Sequence, residues 1–284
     1  MNNKMLITSF LALVLLLSCN FSEEETKHNS QNQIRQEAGF LVDNDSLLAT
    51  DTIPDGIKKL LAAYPNFLKS ATSNSIIWND GTVMVYDDGI ENKDFATLLD
   101  APDLEDQMAM PYPKGSSYEI PQKYFDPGRI RYEPFFFKMY GNSKQEVQAN
   151  LATVVWLPSS LNVKLQVTKI NGVNEKLQAV SNELDSMPLL RKYLENPGGT
   201  FNWRTIEGTN RMSTHAFATS VDINVSFSNY WKWVTSDIDA DLEYKNRIPM
   251  EIVEVFEKHG FIWGGKWYHY DTMHFEYRPE LLLD

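Results

Sequence analysis

The stretch STHAFATSVD at residues 213–222 combines a histidine and an aspartate with small and apolar side chains. His215 and Asp222 are seven residues apart, which is too far for neighbours on one helix face and wrong for adjacent residues of one strand. The spacing suits a loop that presents His215 and a strand that presents Asp222. Asp222 stands between Val221 and Ile223. An unpaired carboxylate in such an apolar strand costs free energy, so it needs a metal ion or an arginine as partner.

A second stretch, WGGKWYHYDTMHFE at residues 263–276, carries another carboxylate and another histidine. Its aromatic residues predict a strand from Trp267 to Tyr277. Asp271 and His274 are three residues apart at the entry of this strand. Both side chains can face the same cleft if the chain turns between them.

These residue types suit a catalytic zinc ion, which needs three protein ligands and one open position. Two imidazoles and one carboxylate would leave a net charge of about +1 at the metal, and a second carboxylate nearby would take a proton from water. The alternative is an ordinary one, because a histidine near aromatic residues is more often a core or surface residue. On the residues alone, the zinc site and the metal-free interpretation are equally open.

The two stretches resemble the signature of the zinc D-Ala-D-Ala carboxypeptidase and L-alanyl-D-glutamate endopeptidase family of bacterial cell-wall and phage-endolysin enzymes. The family pattern is S-x-H-x-x-G-x-A-x-D-[IVL], then W-G-G-x-W, then D-x-x-H-[FW]-E. The residues that match it are Ser213, His215, Asp222, Trp263, Gly264, Gly265, Trp267, Asp271, His274 and Glu276. The resemblance covers roughly residues 128–284. It implies a small α+β domain of the kind shared with hedgehog signalling domains.

The resemblance also implies roles for individual residues. His215, Asp222 and His274 match the ligands of one zinc ion. Asp271 matches the carboxylate that acts as base and then as acid during peptide hydrolysis. Arg204 lies where the family places a basic residue that steadies the substrate carbonyl or carboxylate, although a surface arginine at a strand end is the alternative.

Three further positions qualify the match. Ser213 matches the serine of S-x-H, which implies a hydrogen bond to the substrate or to a metal ligand. Ala218 stands where the family usually has glycine, and Ser220 where it has alanine. If the glycine position requires a positive φ, Ala218 costs roughly 1 kcal/mol there.

His269 is interpreted as a residue on the rim of the cleft.

The N-terminus has the layout of a bacterial lipoprotein. Residues 1–18 have a short positive region at Lys4 and an apolar run up to Leu17, the arrangement of a secretory signal. Cys19 follows in a sequence that resembles a lipobox, so we expect it to be lipidated. An ordinary signal peptide with an incidental cysteine is the alternative. Residues 19–50 are polar and aperiodic, which predicts a disordered tether.

The rest of the chain predicts an α+β fold, with a small antiparallel sheet flanked by helices and an N-terminal elaboration. Residues 51–127 are expected to form an N-terminal subdomain, for which the sequence indicates no role. It would contain a helix after Pro54 and a β-hairpin around Asn79 to Thr82. Residues 128–284 are expected to form the zinc peptidase domain.

Further elements are predicted within residues 128–284. Ser143 is a plausible N-cap for a helix that runs through about Val154. Residues 200–204 and 220–225 predict strands. Residues 248–258 predict a helix that ends before Gly260.

Composition limits the function classes. The formal net charge is −12, and no cluster of basic residues is visible, which makes a nucleic-acid binder a poor candidate. Cys19 is the single cysteine, so no disulfide forms within the chain.

The function expected from the resemblance is a zinc metallopeptidase that cuts peptidoglycan stem peptides. It would be held in the cell envelope as a membrane-anchored lipoprotein facing the periplasm or the exterior. The alternative is a non-catalytic zinc-binding lipoprotein that acts as a binding module. A third possibility is a metal-free structural lipoprotein.

Overall fold

The structure is a computed structural model that describes residues 52–284. The predicted signal peptide, Cys19 and the tether lie outside the described residues. The helices are α1 (Asp55–Ala63), α2 (Phe95–Asp100), α3 (Leu104–Ala109), α4 (Glu133–Tyr140), α5 (Lys144–Ala149), α6 (Val173–Asp185), α7 (Arg191–Leu194) and α8 (Met250–Lys258). The strands are β1 (Leu68–Thr72), β2 (Ser75–Trp78), β3 (Val83–Val85), β4 (Leu151–Trp156), β5 (Val163–Thr168), β6 (Pro197–Gly199), β7 (Ser220–Asn224), β8 (Phe261–Trp263) and β9 (His274–Tyr277). Within the described part, no helix is both long and apolar enough to cross a bilayer.

The strands form three small antiparallel sheets. One has the order β1-β2-β3, a second pairs β4 with β5, and the third has the order β6-β7-β9-β8. Helices flank these sheets, and every described pairing between named strands is antiparallel. The predicted α+β class with small antiparallel sheets is therefore confirmed.

The N-terminal segment contains the predicted helix and hairpin. Helix α1 follows Pro54 directly and buries Ile57 and Leu60, while β2 and β3 pair across the turn that contains Gly81. The side chain of Tyr64 donates a hydrogen bond to Glu280 near the C-terminus, with 2.5 Å between Oη and Oε2. The segment thus shares one core with the C-terminal part. The proposed division of the chain at residue 127 stays a prediction.

The predicted helix after Ser143 is shorter than expected. The Ser143 hydroxyl accepts a hydrogen bond from the Glu146 amide at 3.2 Å, as an N-cap does, but α5 ends at Ala149. Strand β4 begins two residues later and pairs with β5 along its whole length. The run from Leu151 to Trp156 is rich in β-branched and aromatic residues, and these favour the strand over the helix.

Two of the predicted strands are also corrected. Residues 200–204 form no strand, because their backbone groups bond to the loop that carries His215: Asn202 N donates to His215 O at 3.0 Å. The edge strand is β6, Pro197–Gly199. Residues 267–273 are a loop, and only His274–Tyr277 forms β9.

The prediction of α8 before Gly260 is confirmed, and that glycine has φ +92°.

The core beneath the third sheet rests on a pair of stacked aromatic rings. Phe256 of α8 and Phe275 of β9 lie with their ring centroids 3.8 Å apart and nearly parallel. Both side chains are fully buried. Since His274 precedes Phe275, this contact holds β9 and the cleft residue beside it in place.

Replacing Phe256 with alanine should lower the free energy of unfolding by about 3–5 kcal/mol, because it removes a buried ring and leaves a cavity. Urea unfolding followed by circular dichroism measures the change. Leu189→Ala is the control, since Leu189 is 89% exposed and its loss should cost less than about 0.5 kcal/mol. A loss below about 1 kcal/mol in Phe256→Ala would contradict this description of the core.

Candidate metal centre and catalytic cleft

Three separate elements bring His215, Asp222 and His274 together. His215 lies in a 3-10 turn, Thr214–Phe217, which precedes β7. Asp222 is the central residue of β7, and His274 is the first residue of β9. In the antiparallel register of these strands Asp222 pairs directly with His274. The turn therefore adds the second imidazole to a carboxylate–imidazole pair that the sheet already forms.

The distances within this cluster suit a single metal ion. Asp222 Oδ1 lies 3.2 Å from His215 Nε2 and 3.1 Å from His274 Nδ1. One donor atom from each of the three residues lies within 4.8 Å of the others. Donors that surround zinc tetrahedrally at 2.0–2.1 Å are about 3.3 Å apart, so the observed spacing fits. Two imidazoles and a carboxylate are also donors that zinc accepts readily.

Neighbouring oxygens orient both rings. His215 Nδ1 donates to the Thr200 carbonyl oxygen at 2.6 Å, which leaves the lone pair of Nε2 directed towards Asp222. On the other side of His274, Nε2 lies 3.4 Å from Glu276 Oε2 and leaves Nδ1 towards Asp222. This arrangement of an acceptor behind each imidazole is typical of metal-binding histidines.

The electrostatics of the cluster favour positive charge next to Asp222. Burial raises the pKa of Asp222, but His215 and His274 outweigh it and hold that pKa well below its usual range. Burial lowers the pKa of His274, while the carboxylates of Asp222 and Glu276 more than offset this and raise it to about 9. Asp222 therefore keeps its negative charge, and His274 favours its protonated form beside it.

Asp271 lies in the loop before β9 and lines the same cavity as the three donors. Its backbone amide donates to the Gly264 carbonyl oxygen at 2.9 Å, which fixes the turn. The side-chain Oδ1 is sequestered and has no hydrogen-bond partner among the described residues. Burial is the main reason that the pKa of Asp271 rises to about 6. A free, buried carboxylate oxygen in this position can accept a proton from water.

Arg204 and Ser213 both line the cavity, at different depths. The guanidinium of Arg204 is exposed, and Nη1 makes a single long hydrogen bond of 3.3 Å to the Thr205 carbonyl oxygen. Ser213 is buried, and its amide donates to the Arg204 carbonyl oxygen at 3.1 Å. The exposed guanidinium of Arg204 is therefore available to bind a ligand, whereas Ser213 lies deeper in the cavity.

Ala218 adopts the conformation that glycine would favour. Its φ is +56° and its ψ is +32°, at the end of the 3-10 turn that carries His215. The left-handed backbone costs an alanine roughly 1 kcal/mol. Ser220, the second departure from the family pattern, is buried and donates to the hydroxyl of Thr214 at 2.7 Å. With both departures present, His215 and Asp222 still lie in the cluster of three donors.

Several residues that support the cluster had no predicted role. Glu276 accepts two hydrogen bonds from Arg131, at 2.9 Å and 2.5 Å, besides lying next to His274 Nε2. One signal could have found it, since residues two apart on a strand share a face. No local signal marks Arg131 or Thr200, because both reach the site from distant parts of the chain.

His269 is not the rim residue that the sequence predicted. It is buried, and its Nδ1 lies 2.7 Å from Asp126 Oδ2 while Nε2 lies 2.9 Å from the Ile238 carbonyl oxygen. Its ring also stacks on Phe95 with centroids 5.3 Å apart. This histidine therefore joins three chain segments and has a structural place in the fold.

Comparison with known proteins agrees with this geometry. Residues 207–277 match the model of a family described as D-alanyl-D-alanine carboxypeptidase. No curated protein and no solved structure matches the chain significantly. The matched region contains the three clustered donors and Asp271, whereas Arg204 precedes it. The match over residues 207–277 confirms that this part of the chain resembles the D-alanyl-D-alanine carboxypeptidase family, a peptidase family.

Proposed function

We propose that this protein is a zinc metallopeptidase that hydrolyses peptide bonds in peptidoglycan stem peptides. The cut would be of the D-Ala-D-Ala carboxypeptidase or the L-Ala-D-Glu endopeptidase type. The family match supports a peptidase that acts on peptidoglycan. The finer assignments rest on the geometry of the cleft.

One observation carries the proposal: an unpaired carboxylate lies in the same cavity as a set of three metal donors. The cavity is about 250 Å³ and is lined by His215, Asp222, Asp271 and His274 together with several basic residues. A metal site that serves only structure does not need a free carboxylate oxygen beside it. Asp271 Oδ1 supplies one.

In this proposal His215 Nε2, a carboxylate oxygen of Asp222 and His274 Nδ1 hold the zinc ion. When bound, zinc polarises a substrate carbonyl and lowers the pKa of water towards about 7. Thr200 and Glu276 keep the two imidazoles in the required tautomers through their ring contacts.

The remaining residues of the cleft bind substrate and move protons. Asp271 Oδ1 takes the proton from the attacking water and then delivers it to the departing amine nitrogen. Arg204, with its exposed guanidinium, binds the carbonyl or carboxylate oxygen of the substrate. Ser213 lies on the inner wall and contributes a hydroxyl to substrate binding.

The place of action follows from the N-terminal sequence. We propose that residues 1–18 direct export, that Cys19 is lipidated, and that the protein is anchored in the cell envelope. This location brings the cleft to peptidoglycan.

Purified wild-type protein should retain about one zinc ion per chain after dialysis, measured by inductively coupled plasma mass spectrometry. His215→Ala and His274→Ala should each lose most of it, because two protein donors bind zinc far more weakly than three. His259→Ala is the matched control, since His259 pairs with Glu183 outside the cleft. Equal zinc in all four proteins would exclude this metal centre.

Wild-type protein should cleave muropeptides, with the products identified by mass spectrometry. Asp271→Ala should lower kcat/KM by about 10²–10⁴-fold while zinc content stays the same, since the proton acceptor alone is removed. A chelator should abolish cleavage and added zinc should restore it. Zinc binding without any cleavage by the wild type would favour the non-catalytic binding module. Undiminished activity in Asp271→Ala would refute the assigned role.

Cys19→Ser should release the full-length protein from the membrane fraction of a bacterial expression host, because lipid attachment needs the thiol. Fractionation with an antibody, together with incorporation of a radiolabelled fatty acid, checks this. Persistence of both label and membrane association in the variant would exclude lipidation at Cys19.

A further inference from the structure

A second cavity continues from the metal cleft and has its own charge pattern. It measures about 550 Å³, and the residues that line both cavities include Arg129, Ile206, Glu207, Tyr230 and Lys232. We call it the distal cavity. Its basic side chains are Arg129, Arg211 and Lys232, and among the described residues that line it only Glu207 is acidic.

The distal cavity also gives a place to part of the N-terminal segment. Leu99 of α2 lines its wall, opposite residues from the C-terminal loops such as Ile238. Asp100, the last residue of α2, pairs with Arg211 at 3.2 Å between Oδ1 and Nε. The segment that precedes the peptidase-like region therefore completes a groove that begins at the metal centre.

Arg129 is fixed where the two cavities meet. Its Nη2 donates to the His269 carbonyl oxygen, and its Nε lies 3.1 Å from Asp126 Oδ2. The guanidinium carbon lies 4.5 Å from the ring centre of Trp267, which in turn neighbours His274. Despite its nearness to Asp126, Nε is buried without a hydrogen-bond partner among the described residues. A guanidinium held this rigidly can bind an anion at a low cost in side-chain entropy.

The cations of this groove repel one another. Burial lowers the pKa of Lys232, and the positive charges of Arg129 and Arg211 lower it further. Burial also lowers the pKa of Arg211. The positive charges of Arg131 and Arg129 lower it further, while Asp100 and Glu133 raise it. Asp100 is 70% exposed, so its screening by solvent leaves Arg211 weakly compensated.

The cations of the groove also lack charged hydrogen-bond acceptors. The Nε of Arg211 is buried without a hydrogen-bond partner among the described residues, despite its nearness to Asp100. The ammonium of Lys232 donates to the Glu207 carbonyl oxygen at 3.0 Å, a neutral acceptor. Like charges held together in a partly buried groove cost free energy, which a bound anion would offset.

We propose that Arg129, Arg211 and Lys232 form a subsite that binds a carboxylate of the substrate away from the bond that is cut. This deepens the proposed function and rests on it. A stem peptide that contains glutamate and ends in a carboxyl group offers two such carboxylates. The subsite selects peptides with the free acid over those with the amide, because an amide brings no negative charge.

The test compares three forms of the muropeptide that the wild type cleaves. One has free carboxyl groups, one has the glutamate carboxyl amidated, and one has the C-terminal carboxyl amidated. Wild-type kcat/KM should fall at least about 10-fold for one of the two amides, mainly through KM, which also identifies the carboxylate that is bound.

The relevant quantity is kcat/KM for the free-acid peptide divided by kcat/KM for the amide peptide. The variants Arg211→Gln and Lys232→Gln should each reduce this ratio at least about 3-fold, and the double variant should bring it near one. Arg191→Gln is the matched control, since Arg191 is exposed and lies outside both cavities. Its ratio should equal that of the wild type. Absence of any preference in the wild type, or an unchanged ratio in both variants, would overturn the subsite.

Binding separates this inference from the proposed function. The zinc-loaded Asp271→Ala protein is titrated with the same three peptides by isothermal titration calorimetry. A Kd at least about 10-fold lower for the acid, with the difference lost on adding Arg211→Gln, supports the subsite even if no peptide is cleaved. Equal Kd values for acid and amides contradict it, whatever the activity of the wild type.

Discussion

The antiparallel pairing of β7 with β9 is the constraint on which the site depends. In this register Asp222 faces His274 across the ladder, and Ser220 faces Glu276. Because side chains alternate along a strand, these polar residues share one face while Phe275 packs against the core. A slip of one residue would bury the donors and expose the core residue, so the hydrophobic packing also fixes the geometry of the donor cluster.

A buried network of charges connects this sheet to the rest of the chain. Glu276 binds Arg131 and lies 3.2 Å from Arg278, which in turn pairs with Glu280 at 2.5 Å. Tyr64, the residue that follows α1, then donates to Glu280. Buried pairs of this kind add little net stability, but loss of one partner is costly, since it leaves a charge uncompensated. The network thus ties the N-terminal segment to the strand that carries His274.

Local patterns in the sequence predicted the class of fold, and the resemblance to the family signature pointed to the residues of the cluster. The hairpin turn, the cap at Ser143 and the spacing of apolar residues in α1 are local signals. Local signals failed where backbone partners are distant: residues 200–204 bond to the His215 loop instead of forming a strand. For the same reason the sequence did not indicate Thr200, which contacts the imidazole of His215, or Arg131, which binds Glu276. This limit of local signals also made the buried His269 look like a rim residue.

We propose that one zinc ion is held by His215, Asp222 and His274, with Asp271 beside it but not bound to it. Anomalous diffraction at the zinc edge, from crystals of the zinc-loaded protein, tests this directly. We expect one peak about 2.0–2.2 Å from His215 Nε2, an Asp222 oxygen and His274 Nδ1, with Asp271 outside that distance. A peak elsewhere, or one with Asp271 as a ligand in place of any of the three, would contradict it.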